Sequence, residues 1–283
     1  MGDVVAQSVP VPEWATEMVD LHVHSSPSLL PRHGNDLETK DSENSLGFDI
    51  VVLKSHEGST VERAAIAGDG VYGGVVLNSA IGGANPDAVE VAARLGGRVV
   101  WMPTVSTATH KAGASSPELS VHQGFEMQQV DVVEHGAVLP QWMEVLDVIA
   151  EYDLLLASGH LSTAETIVLF TEAHNRGVRR LMVNHPKMPF LHWNDDAAAT
   201  LLALGARLEL AILPDLLSPS DHSGFTLLDV YPHDLFVFGA DLGHAHHPKP
   251  ADITPVWLRE LEMHLGETKA RAIVTTNSRE LLL

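Results

Sequence analysis

The stretch Met18-Val19-Asp20-Leu21-His22-Val23-His24 decides how the rest of the chain is interpreted. It is a short run rich in apolar and β-branched residues that ends in two histidines, which is typical of a strand whose end reaches a polar site. Seven later runs have similar composition, and each is followed by a segment with helical character. The eight predicted strands are residues 18–24, 50–54, 74–78, 99–103, 154–160, 181–185, 208–212 and 236–241.

The connecting segments carry helix signals that agree with this division. Asn85-Pro86 is typical of a helix N-cap followed by proline at the first helical position, and Ser162 to Glu165 form a capping box. Strands that alternate with helices favour parallel units, so eight of them predict an α/β protein with a (β/α)8 TIM barrel over residues 1–283 as a single domain. An open doubly wound sheet is the competing arrangement, but no G-x-G-x-x-G follows any predicted strand.

The gap between the fourth and fifth runs is longer than the others and places an insertion after strand four, at residues 105–141. Residues 129–140 contain Gly136 and predict a short hairpin within it. Loops that follow the strands of a barrel cover its site, so the insertion is expected to be a lid or a subunit contact. A surface excursion without function is the alternative.

Composition restricts the partners. Lys and Arg number 17 and Asp and Glu 37, which gives a formal net charge of −20 with histidine neutral. Because this charge repels phosphate backbones and anionic lipids, we expect a small-molecule substrate, no nucleic acid and no membrane. No secretory signal or apolar stretch of about 20 residues is present, so a cytoplasmic location is expected, and a homo-oligomer is compatible with these features.

Histidine and carboxylate side chains gather at the predicted strand ends. The chain has no cysteine and 17 histidines, so a metal would take histidine, carboxylate or modified lysine ligands. His22 and His24 end strand one and point to the same side of it, while His160, His185 and Asp241 end strands five, six and eight. Carboxyl ends of barrel strands meet at one mouth, so these residues predict a site for one or two divalent cations, zinc first, with manganese or iron as alternatives.

This pattern resembles the amidohydrolase superfamily, whose barrels carry His-x-His on strand one, histidines on strands five and six, and an aspartate on strand eight. The matching segments are Asp20 to His24, Ser158-Gly159-His160, Val183-Asn184-His185-Pro186 and Gly239-Ala240-Asp241, and Thr275 to Leu282 resembles the tail that often follows. The resemblance implies a metal-dependent hydrolase in which a metal-activated water attacks a cyclic amide, lactone or ester. It also implies that Asp241 moves the proton.

Other functions remain open on the same barrel. Related barrels perform metal-dependent decarboxylation, and those of the PHP group cleave phosphate esters, although the PHP pattern has a Glu on strand three where this sequence has Asn78. A metal-binding protein without catalysis is a third reading.

The match to the superfamily fails on strand four. Binuclear members commonly have a carboxylated lysine there, whereas this strand ends Trp101-Met102-Pro103-Thr104. Lys54, at the end of strand two, is the candidate metal ligand in its place, because a nearby cation lowers the pKa of a lysine and favours carboxylation. A cationic Lys54 that holds an anionic substrate and a purely structural Lys54 are the alternatives.

Three further residues are predicted substrate contacts. His56 follows Lys54 closely, Arg32 is a cation of the first loop that suits a carboxylate or phosphate group, and His244 lies near Asp241. Surface roles are the alternatives for all three. Glu57 is expected to complement the start of the next helix, and His110 is a further residue within reach of the mouth.

Overall fold

The computed structural model describes residues 9–113, 126–217 and 224–283. Eight parallel strands form one sheet in the order β1, β2, β3, β4, β7, β8, β9, β10, and a short antiparallel pair, β5 and β6, stands apart from it. The strands are β1 (Met18–His24), β2 (Phe48–Lys54), β3 (Val71–Val76), β4 (Val99–Trp101), β5 (Val133–Glu134), β6 (Ala137–Val138), β7 (Leu155–Ala157), β8 (Arg180–Val183), β9 (Arg207–Leu210) and β10 (Phe236–Phe238).

Helices follow the strands in the alternation expected from the sequence. They are α1 (Asp36–Ser45), α2 (Val61–Ala67), α3 (Pro86–Arg94), α4 (Ala108–Gly113), α5 (Met143–Glu151), α6 (Thr163–Asn175), α7 (Asp195–Ala203), α8 (Ile212–Leu217), α9 (Phe225–Leu228), α10 (Pro250–Leu265), α11 (Glu267–Ala272) and α12 (Ser278–Leu282). The predicted caps are present, since Asn85 accepts a hydrogen bond from Ala88 N and Ser162 forms a capping box with Glu165. The prediction of a (β/α)8 TIM barrel is confirmed.

The segment that follows β10 closes the barrel against β1. The backbone N–H of Asp241 donates to the carbonyl of His22 at 2.8 Å, and that of His24 donates to the carbonyl of Leu242 at 2.9 Å. The Asp20 carboxylate joins the same seam, because its Oδ1 accepts from the N–H groups of His22 and Ala240. The seam between β1 and β10 therefore runs through three of the predicted site residues.

Apolar side chains fill the interior of the barrel. Val19, Leu21, Val52 and Trp101 are among the buried strand residues of this interior cluster, and Leu281 and Leu282 of α12 join it. Arg180, at the start of β8, donates to the carbonyls of Glu280 and Leu281, so α12 covers the end of the barrel where the strands begin. The opposite end, which we call the mouth, is where the strands finish and where the polar residues lie.

Several strands end earlier than the sequence predicts. β7 ends at Ala157, three residues before His160, and β8 and β10 also end before His185 and Asp241. The backbone turns out of the extended conformation at these points, with φ of 60° at Gly159, 25° at His185 and 56° at Asp241. These candidate ligands therefore lie on the turns just after the strands.

The insertion after strand four contains a hairpin. Val133 pairs with Val138 and Glu134 with Ala137, with His135 and Gly136 at the turn in left-handed backbone conformations. Residues 114–125 of the insertion lie outside the described residues. Among the helices of the described chain, none is both long and apolar enough to cross a membrane.

Candidate metal centre

Three predicted ligands from different parts of the chain meet at the mouth. His22, His185 and Asp241 each place a nitrogen or oxygen so that these atoms lie within 4.8 Å of one another, and all three residues are buried. His22 Nε2 lies 3.0 Å from Asp241 Oδ1, and His185 Nε2 lies 3.9 Å from Asp241 Oδ2. The spacing allows the three side chains to converge on one cation.

The other two predicted ligands border this group. His24 Nε2 lies 3.2 Å from Asp241 Oδ1, so His24 is in direct contact with the three-residue cluster. The His160 ring lies 5.2 Å from the His185 ring, and its Nδ1 is 2.8 Å from Nδ1 of His110. His110 is on α4, within the insertion, and its stacked ring fixes the orientation of His160.

Glu209 is a site residue that the sequence analysis did not single out. It lies on β9, is fully buried, and its Oε1 accepts a hydrogen bond from His22 Nδ1 at 3.0 Å. Its Oε2 accepts from the backbone N–H of His185 at 2.8 Å and from Asn184 Nδ2 at 3.1 Å. One carboxylate thus orients two candidate ligands, as carboxylates commonly do behind metal-binding histidines. The available signal was a lone charged residue in the apolar run Leu208-Glu209-Leu210.

Burial sets the protonation of most of the cluster. It lowers the pKa of His185 to about 4 and lowers the pKa values of His24 and His160 well below the usual range, so these imidazoles are neutral and keep a lone pair. Burial alone would raise the pKa of Asp241, but His22 outweighs it and holds that pKa well below its usual range. His24, His160 and His185 therefore offer neutral nitrogens and Asp241 an ionised carboxylate, the forms that bind cations. Burial alone would lower the pKa of His22, but the neighbouring carboxylates outweigh it and raise that pKa, so His22 must give up a proton to bind a cation.

His185 provides the test of whether a cation fits. Both of its ring nitrogens are buried and lack a hydrogen-bond partner among the described residues. A buried polar atom without a partner costs about 1 to 3 kcal/mol, and a positive φ adds backbone strain at the same residue. A divalent cation between His185, His22 and Asp241 would satisfy one nitrogen, so the residues present fit such an ion.

Lys54 faces the same cluster from the end of β2. Its side chain is fully buried, and its Nζ lies 2.8 Å from His22 Nε2 and 5.8 Å from the centre of the Trp101 ring. Burial lowers the pKa of Lys54 to about 8. Its amine occupies the side of His22 that a cation would need, so cation binding to His22 Nε2 requires Lys54 to move or to change its protonation.

The predicted substrate contacts lie around this cluster. The His56 ring is 5.1 Å from that of His24, and its Nδ1 is 2.9 Å from Thr104 Oγ1. Arg32 and His244 form a backbone bridge between the loops that follow β1 and β10. Glu57 does not complement the start of α2 as expected, because its carboxylate accepts hydrogen bonds from Ser28, from Leu29 N and from Ser55.

Asn78 ties together the loops after three strands. Its Oδ1 accepts from the N–H groups of Thr104 and Ser106, and its Nδ2 donates to the His56 carbonyl and to Thr104 Oγ1. Asn78 is fully buried and saturated by these bonds. The residue at the end of strand three therefore positions His56 through the loops.

Solved structures of amidohydrolase-superfamily barrels share the fold, and the resemblance inferred from the sequence is confirmed at that level. An amidohydrolase from Pseudomonas aeruginosa matches with a TM-score of 0.62 at 10% identity, covering 95% of this chain and 96% of that one.

Two other solved structures show the breadth of this fold. A 2,6-dihydroxybenzoate decarboxylase from Rhizobium matches with a TM-score of 0.58 at 12% identity, over 94% of this chain and 98% of the other. A TatD homologue from Escherichia coli K12 matches with a TM-score of 0.59 at 12% identity, over 95% and 98% of the two chains. No curated protein sequence matches the chain. Residues 17–209 match the model of a family of unknown function, DUF6282, and the chain belongs to that family.

Proposed function

We propose that the protein is a metal-dependent hydrolase that acts on a small-molecule cyclic amide, lactone or ester. The observation that carries the proposal is His185, a buried neutral imidazole whose two nitrogens lack hydrogen-bond partners in the described chain and which lies beside His22 and the ionised Asp241. Such a group is costly in a folded protein unless a ligand satisfies it.

His22, His24, His185 and Asp241 would hold the cation, with His160 as the further imidazole at its edge. A divalent cation supplies a Lewis acid there and lowers the pKa of water toward about 7.

The chain's own residues supply the proton transfer. Asp241 Oδ1 is engaged by His22 and His24, while Oδ2 is 3.9 Å from the nearest ion-pair partner in the described structure. We assign Oδ2 as the oxygen that takes the proton of the attacking water and passes it to the leaving group, which requires a positioned acid-base group. Glu209 holds His22 and His185 in place through its three hydrogen bonds while this occurs.

Metal analysis tests the site and the role of Lys54. Protein purified without chelator should contain at least one equivalent of a divalent cation, and His185→Ala should lose it. If Lys54 is a carboxylated ligand of a second cation, Lys54→Met should bind one equivalent where wild type binds two, and removal of bicarbonate should have the same effect. The exposed Lys269→Met is the matched control. Wild-type protein that takes up no divalent cation would overturn the proposal.

A substrate panel separates the reactions that this barrel can support. The metal-loaded protein should open the ring of a lactone or a cyclic amide, or cleave an aryl ester, and this hydrolysis should fall in the chelated protein and return when the cation is restored. Release of carbon dioxide from aromatic carboxylates, or of phosphate from phosphate esters, without hydrolysis of the other compounds would favour the decarboxylase or phosphoesterase alternative.

A further inference from the structure

The loop that carries Arg32 is held rigidly against the mouth. The carbonyl of Pro31 accepts from the N–H of Ala245 at 3.0 Å, and the N–H of His33 donates to the carbonyl of Gly243 at 2.9 Å. These bonds join the loop after β1 to the segment that follows Asp241. The position of Arg32 is therefore coupled to the candidate metal centre through the backbone.

Glu57 anchors the same loop from the other side. Its Oε1 accepts from Ser28 Oγ at 2.8 Å and from Leu29 N at 2.7 Å, and its Oε2 accepts from Ser55. The hydrogen bonds to Ser28 and Leu29, together with the backbone bonds at Pro31 and His33, fix the loop on both sides of Arg32 before a ligand binds. Preorganisation of this kind reduces the entropic cost of binding.

The guanidinium of Arg32 has an unused edge. Its Nε and Nη2 are buried and have no hydrogen-bond partner among residues 9–113, 126–217 and 224–283. The N–H groups of Nε and Nη2 point the same way, as the side-on fork of a guanidinium that matches the two oxygens of a carboxylate. Leaving both donors buried and unpaired is unfavourable, so the fork calls for an acceptor that the described chain does not supply.

Nearby carboxylates are engaged elsewhere. Asp36 pairs with Arg63 at 2.6 Å, Asp241 contacts His22 and His24, and Glu57 accepts from Ser28 and Leu29 of the loop that carries Arg32. Burial lowers the pKa of Arg32 to about 10, so it remains charged at neutral pH. The charge of Arg32 also lowers the pKa of His24, second only to burial.

We propose that the substrate carries a carboxylate, which Arg32 binds through the side-on fork of Nε and Nη2. The inference rests on the proposed function, because it takes the mouth as the substrate site. It narrows the substrate class to small carboxylic acids whose scissile group lies elsewhere in the molecule. A protein with a net charge of −20 would otherwise repel such anions, and Arg32 with Lys54 gives the mouth local positive charge.

Matched ligand pairs test the inference by calorimetry. The probes are acetate, succinate and benzoate, each paired with its neutral amide, together with methyl phosphate. They are titrated into the protein as purified and after chelator treatment, because a carboxylate can also bind a cation directly. The variants are Arg32→Met, which removes the charge and the fork, and Arg32→Lys, which keeps the charge only. Arg94→Met, at an exposed position on α3, is the control.

We expect at least one carboxylate to bind wild type while its amide does not, and Arg32→Met to weaken that binding by about 10²- to 10⁴-fold, the effect of two charge-assisted hydrogen bonds. Arg32→Lys should restore little of it, since it lacks the fork, and it carries the comparison if Arg32→Met does not fold. Arg94→Met should bind as wild type does.

Three results would overturn the inference. They are the absence of carboxylate binding to wild type, equal binding by the Arg32 variants, and tighter Arg32-dependent binding of methyl phosphate than of every carboxylate. Metal content measured on the same samples separates this inference from the proposed function. Arg32-dependent carboxylate binding in a protein that takes up no cation would refute the hydrolase proposal alone. Cation uptake with carboxylate binding that ignores Arg32 would refute the inference alone.

Discussion

Replacing Glu209 with glutamine should weaken cation binding although Glu209 touches no cation in the proposed arrangement. The carboxylate accepts three hydrogen bonds, from His22 Nδ1 at 3.0 Å, from His185 N at 2.8 Å and from Asn184 Nδ2 at 3.1 Å. Glutamine has the same shape but only one acceptor oxygen, and its amide group is a donor. The NH2 group of the glutamine must therefore face a group that is itself a hydrogen-bond donor.

The less costly orientation keeps the oxygen toward His185 N and Asn184, because two donors lie there. The amide then faces His22 Nδ1, and His22 must carry its proton on Nε2, the nitrogen that the cation would use. Loss of a carboxylate behind a metal-binding histidine typically costs about 10- to 100-fold in cation affinity. This factor corresponds to about 1.4 to 2.7 kcal/mol. A disrupted buried hydrogen bond also costs about 1 to 3 kcal/mol of unfolding free energy.

Competition with a chromophoric chelator measures the affinity for zinc, and urea denaturation measures the stability. The control is Glu260→Gln, an exposed position on α10, which should change neither value. If Glu209→Gln folds and binds zinc within twofold of wild type, the carboxylate does not set the protonation of His22, and the reasoning fails.

Two other substitutions test separate parts of the molecule. Asp241→Asn should leave a folded, metal-binding protein whose turnover, measured on a substrate found in the hydrolysis panel, falls by about 10² to 10⁴, because the amide cannot take the proton; near-normal turnover would refute the assignment. Burial raises the pKa of Glu43 to about 8, whereas an unfolded glutamate ionises near about 4.3. Between these values only the folded state keeps this proton, so Glu43 alone contributes a fall in unfolding free energy of about 1.4 kcal/mol per pH unit, to which the other buried groups add their own slopes. Glu43→Gln should therefore shift the pH slope measured in urea titrations at pH 5 to 8 toward a positive value, exposed Asp41→Asn should keep the wild-type slope, and equal slopes in Glu43→Gln and wild type would contradict the raised pKa.

The barrel could be predicted because its signals are local. Each strand is a short apolar run, and Ser162 with Glu165 marks a helix start within four residues. The same short runs show that His22, His24 and Asp241 lie near strand ends, which a barrel brings together at one mouth. Closure between β1 and β10 then follows from the topology.

The connections behind the site could not be predicted because they depend on contacts across the fold. Glu209 lies 187 positions from His22 and within a strand instead of at its end, so its role appears only when β9 and β1 are placed around the barrel. His110 contacts His160 from within the insertion, and the sequence of the insertion carries no periodic pattern that would predict this contact. Glu57 follows Lys54 in sequence, but its partners Ser28 and Leu29 belong to the preceding loop.

The seam between β1 and β10 has a consequence for how the protein holds its ligand. A barrel has one joint where its first and last strands meet, and here the backbone groups of His22, His24 and Asp241 form that joint. Their side chains point to the candidate cation, so a bound ion would act as a clasp across the place where the closed sheet can open. Local opening of the seam would separate the three ligands and weaken cation binding. A bound cation would in turn oppose this opening. The dissociation rate of the cation and the rate at which the seam opens would then report the same local motion.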